Sequence, residues 1–136
     1  MAGTAGLNAV GLANKLLNSI GGTGTTFTAG SLYVQLHTDA NSDAGPGVNG
    51  TANVSANTTR QLLAFSAAAS GSKSLSASPT AWSMTATENI KYITLWDAST
   101  AGNFLWMVTL TSPKSVVSGD SLQLTSLTLA LTPIAA

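Results

Sequence analysis

The chain has no cysteine and a single histidine, His37. Without cysteine there is no disulfide framework and no thiolate metal site. With one histidine, a multi-histidine metal centre cannot form, and any catalytic triad would have to use His37. Charge is equally scarce. Only 7% of the 136 residues are charged, against about 25% in an ordinary globular protein. Five Lys+Arg balance five Asp+Glu, so the formal net charge is zero. The five cations, Lys15, Arg60, Lys73, Lys91 and Lys114, are scattered. They form no basic patch, which argues against a nucleic-acid partner. No run of 18 apolar residues occurs, so no membrane-spanning helix and no membrane partner are expected. No signal peptide is expected either, because no basic residue precedes Lys15, and Asn8, Asn14 and Asn18 interrupt the apolar runs.

What fills the space is 44% hydrophobic residues together with Ser, Thr, Asn and Gly. That composition is too apolar for a disordered chain. One domain of this length can bury ~68–70% of its unfolded surface. A net charge near zero promotes association. The composition therefore suggests a surface largely occupied by neighbours, with a neutral secreted domain as the alternative.

The start of the chain reads as a short helix. Thr4 can cap it, and Leu7, Val10, Ala13, Leu17 and Ile20 recur at spacings of three and four to form one apolar stripe. Gly21–Gly22 would end it. So short a helix needs a surface to pack on, either its own domain or a partner. Residues 1–22 are thus expected to be a helical arm, and residues 23–136 a β domain with a long loop at 39–59.

From residue 23 the period is two. "SLYVQLHT" sets Leu32, Val34 and Leu36 against Tyr33, Gln35 and His37. "RQLLAFSA" puts Leu63 and Phe65 together, and "AWSMTAT" puts Trp82, Met84 and Ala86 together. "NIKYITLWDA" and "GNFLWMVTLTSP" are apolar on both faces, which marks central or covered strands. Asp97–Gly102 between them reads as a hairpin loop. In "DSLQLTSLTLALTP" the phase breaks: Leu122 and Leu124 are at even positions, Leu127, Leu129 and Leu131 at odd ones. One core for all five requires an extra residue near Thr125–Ser126, or a strand crossing between two sheets. Pro133 would end the element. The expected fold is mainly β: a single β-sandwich, jelly-roll-like, with a short N-terminal helix.

Candidate chemistry is thin. Asp39, Asn41 and Asp43 match the first three ligand positions of a calcium loop. Position six should be Gly and is Ala44; position twelve should be Glu and is Gly50. Asp and Asn also dominate ordinary loops, so no metal ligand is assigned. His37 and Asp39 lie two residues apart at a strand end with no G-x-S-x-G motif, and His37 is expected to face water or a neighbour. A glycosidase pair would have to come from Asp39, Asp43, Glu88, Asp97 and Asp120, and no two are recognisable as one. The N-x-[ST] sequons at Asn49, Asn53 and Asn57 are what a Ser/Thr/Asn-rich loop produces by chance. Trp82, Trp96 and Trp106 can be a sugar platform or core anchors; each sits in an apolar strand, which favours anchors. No catalytic residue, cofactor site or enzyme activity is expected.

Three stretches carry a resemblance. "LYVQLHT", a Gly/Asn loop and "RQ" at Arg60–Gln61, then "ITLWDASTAGNFLW", then "VVSGDSLQL" together resemble small β-rich virion proteins of tailed bacteriophages, particularly those infecting actinobacteria. The N-terminal "TAGLNA" fits the same pattern. The loop departs from it, lacking the family's Asp-Pro and Glu. Such proteins are variously labelled tail fibre, minor tail or capsid decoration proteins. The resemblance implies a virion structural protein. With no heptads or repeats for a stalk, the expected role is a capsid decoration or minor capsid protein on the capsid exterior. It would bind the major capsid protein and copies of itself, as a homotrimer. The alternatives are a tail-associated structural protein (minor tail or tail fibre) and a carbohydrate-binding module.

Overall fold

The computed structural model describes residues 5–20, 22, 24, 30–39 and 45–131. Nine strands run in chain order: β1 Gly6–Leu7, β2 Leu32–Thr38, β3 Gln61–Phe65, β4 Ser72–Ala77, β5 Trp82–Ser83, β6 Glu88–Trp96, β7 Phe104–Val116, β8 Ser121–Leu122 and β9 Thr128–Ala130. Seven of them make one curled antiparallel sheet in the order β1-β7-β6-β2-β3-β4-β9. β5 and β8 form a separate two-stranded ribbon. The fold is mainly β with one short helical segment near the N-terminus, as the periodicity predicts.

The alternation of each strand explains which side it buries. Val34 pairs with Leu95 and Leu36 with Ile93 across β2 and β6. Leu95 in turn faces Trp106, and Ile93 faces Val108, across β6 and β7. These side chains line the inner face. The ribbon adds Trp82 and Met84, and Leu63, Ile90, Val116 and Leu127 complete one buried cluster. Each large side chain buried there contributes roughly 1.5–3 kcal/mol.

The last segment resolves its phase break by leaving one sheet for the other. Leu122 pairs with Trp82 in the ribbon. The chain then loses strand pairing until Thr128–Ala130 joins the edge of β4. Leu122, Leu124, Leu127 and Leu129 all reach the same core. Leu131 does not: it is 54% exposed. A single-residue bulge at Thr125–Ser126 is therefore replaced by a crossing between sheets.

The N-terminal stripe behaves differently from its expectation. Leu7 is in β1, paired with Trp106. The helical segment begins with a π-helical turn at Ala9–Ala13 and continues as α1, Asn14–Ser19. Asn8 starts it: its Oδ1 accepts from the Gly11 amide at 2.6 Å, and its carbonyl accepts from Leu12 and Ala13. The expected cap, Thr4, lies outside the described residues, as do Gly21 and Pro133. Leu12 is buried and Leu16 lines the adjoining cleft. Val10, Leu17 and Ile20, the core of the expected stripe, are 78%, 65% and 79% exposed. The helix docks by its neighbouring face and leaves the more apolar one outward.

Candidate functional site

The outer face of the sheet carries a buried polar cluster. Gln35 and His37 of β2 face the same way as Tyr92, Thr94 and Trp96 of β6. All five are buried. They are covered by the segment 45–59, which lies across the sheet as a second layer. The Thr38 amide donates to the Asn53 carbonyl at 2.8 Å and the Ser55 amide to the Leu36 carbonyl at 3.0 Å. Val54 bridges to His37. The Ser55 hydroxyl and the Ala56 amide both donate to the Glu88 carboxylate. Gly50 sits against the Phe104 ring at a φ of +67°; a Cβ there would lie 2.8 Å from the ring. Position twelve of the supposed calcium loop is thus a packing glycine.

His37 corrects its expectation. It is fully buried, not facing water, because this loop closes over the strand end. Its Nδ1 lies 2.8 Å from the Ala52 carbonyl oxygen and its Nε2 2.8 Å from the Thr94 hydroxyl. Trp96 Nε1 donates to the same hydroxyl at 2.8 Å. Burial is the main cause that lowers the His37 pKa to about 4, and Arg60 adds to it, while the Ala52 carbonyl opposes.

Arg60 pins the hairpin turn to this face. Its guanidinium carbon is 3.7 Å from the centre of the Trp96 ring. Its Nε donates to Gln35 Oε1, and one Nη donates to the carbonyls of Ala98 and Ala101 at 3.0 and 2.6 Å. Asp97 closes the turn by accepting from the backbone and side chain of Asn103 at 2.6 and 2.7 Å. Burial pushes the Asp97 carboxyl up, but these bonds and the Lys15 charge hold it below its ordinary value.

The carboxylates among the described residues are all structurally engaged. Asp39 pairs with Lys91 at 3.7 Å. Glu88 holds the loop, Asp97 the hairpin, and Asp120 accepts from the Val117 amide at 2.9 Å. Asn41, Asp43 and Ala44 lie outside the described residues. Among the described residues no three His, Asp or Glu side chains come together as metal ligands. The three sequons include two structural asparagines: Asn53 donates to the Gly45 carbonyl and Asn57 to that of Ser83. The tryptophans form no exposed platform. Trp82 and Trp96 are buried, with their N–H groups bonded to the Thr59 carbonyl and the Thr94 hydroxyl, and Trp106 packs on the core.

Two clefts remain. One, about 240 Å³, lies at the end of the core between Leu12, Leu16 and Leu32 on one side and Leu129 and Leu131 on the other. The other, about 270 Å³, lies between the Thr111–Lys114 stretch of β7 and the Leu122–Ser126 crossing. Both are floored by core side chains and neither brings titratable groups together. No described helix is long and apolar enough to cross a membrane.

On the described part of this covered face the polar side chains are spent on holding loops and the hairpin turn. The family model of the podophage GP4 fiber I protein gp80 matches residues 9–132. The chain belongs to that family, and it is a structural protein of a bacteriophage virion. No curated protein matches the chain.

Proposed function

We propose that the chain is a non-enzymatic component of a phage tail fibre, carried in several copies that contact one another. The observation that carries this is the fibre-family match over residues 9–132. It favours the tail over the capsid exterior and the major capsid protein expected from the sequence. An actinobacterial host and a decoration role draw no support from it.

Self-association, as a homotrimer, is part of the same proposal. Its support is the outward stripe Val10, Leu17 and Ile20, together with the low charge of the chain. Obligate interfaces are more apolar than ordinary surface. Closed rings bury such stripes without leaving an open end. Copies with no net charge approach one another without electrostatic cost.

The mechanism is mechanical. The sheet is covered on both faces at its centre, on β2 and β6, and association would add stability by mass action. Gold-labelled antibody against the chain, viewed on intact virions, tests the placing. Label at the tail supports it, and label spread over the capsid contradicts it.

A further inference from the structure

We infer that the segment 45–57 is an acid-releasable cover: protonating His37 frees it from β2 and β6 while the sheet beneath stays folded. The argument begins with hydrogen-bond directions. Trp96 Nε1–H can only donate, and it donates to the Thr94 hydroxyl. The Ala52 carbonyl can only accept, so His37 carries its proton on Nδ1. Nε2 of the neutral ring then accepts the Thr94 hydroxyl proton. Each hydrogen has one place.

A second proton, on Nε2, has no such place. It points at the Thr94 oxygen, so two N–H donors converge there and the hydroxyl must turn away. The added charge is buried, and the Arg60 guanidinium that bears on it has the same sign. Among the described residues Glu88 is engaged by Ser55 and Ala56, Asp39 by Lys91 and Asp97 by Asn103. Tyr92 lies opposite His37 on β6. The charged ring is relieved by reaching water, and the covering segment stands in the way. It is tied to β2 by two backbone hydrogen bonds, Thr38 to Asn53 and Ser55 to Leu36. β6 and β7 are instead paired from Glu88–Val116 to Trp96–Phe104, with irregularities at Ile90/Tyr92 and Leu95/Trp96. The cover is the weaker element and opens first.

The closed form therefore prefers neutral His37. Its advantage is complete above the ordinary histidine value of 6.5 and is lost as pH falls towards about 4. Over that window the opening equilibrium rises by up to about 300-fold.

Because His37 is the only histidine, its ring nitrogens can be followed directly by ¹⁵N NMR alongside amide-exchange protection factors. The expected result is an Nδ1–H tautomer at pH 7. As the ring takes its second proton well below pH 6.5, protection at Thr38 and Ser55 is expected to fall, with Thr94 and Met107 still protected. Glu88→Gln keeps an acceptor for Ser55 but removes the other titrating tie; the window is expected to persist in it. Three outcomes would overturn the inference. They are constant protection at Ser55 down to pH 4, loss of Thr94 protection in the same window, and disappearance of the window in Glu88→Gln.

Discussion

Arg60 joins more of the molecule than any other charged residue described. It stacks on Trp96, bonds Gln35 and holds two carbonyls of the 97–102 turn. Charge-assisted bonds and a cation–π contact together predict that Arg60→Ala lowers stability by roughly 2–3 kcal/mol. Arg60→Lys should recover less than half of this, since an ammonium lacks the planar fork. Urea unfolding of both variants checks it. Gly50→Ala is expected to cost about 2 kcal/mol or more, from a positive φ and from contact with the Phe104 ring. A melting curve unchanged from wild type would contradict the packing role. At this scale the sequence was partly legible. "RQ" at Arg60–Gln61 stood out as a motif, and the hairpin turn was readable from Asp97–Gly102. The burial of His37 was not, because it depends on residues 45–59 folding back over the strand. Only its partners reveal it: a carbonyl from Ala52 and a hydroxyl from Thr94.

Elements follow the same division. Strands with period-two apolar patterns were legible, and β6 and the start of β7, apolar on both faces, are covered on both, whereas Thr109 and residues 111–115 of β7 are exposed. What covers the second face was not legible, since 45–59 is polar and held by backbone bonds that leave no periodic signal. β4, "SKSLSA", also escaped, because Leu75 is its one large apolar residue. The strand exists through pairing with β3 and β9. Parity showed that the five late leucines could not share a regular strand, but not that the chain would change sheets. For the N-terminal segment, spacing found the helix and misplaced its face. β1 pairing takes Leu7 away, and Asn8 sets a start that turns Leu12 inward. The outward stripe yields a test. Leu17→Gln with Ile20→Gln should change monomer stability by no more than about 0.5 kcal/mol, as at other exposed sites. It should also shift sedimentation from oligomer towards monomer. An oligomer unaffected by both changes would place the interface elsewhere.

At the scale of the whole molecule, function was legible as a class and not as a place. Short motifs resembled phage virion proteins, and the family match supports a virion structural protein. Capsid and tail could not be separated that way, because both use compact β domains with apolar contacts. The fibre-family match tips the balance to the tail. Copy number per virion, measured by quantitative mass spectrometry against the major capsid protein, tests this most directly. A tail fibre component is predicted at a few to some tens of copies, in a multiple of three. Hundreds of copies, in fixed ratio to the capsid lattice, would contradict it.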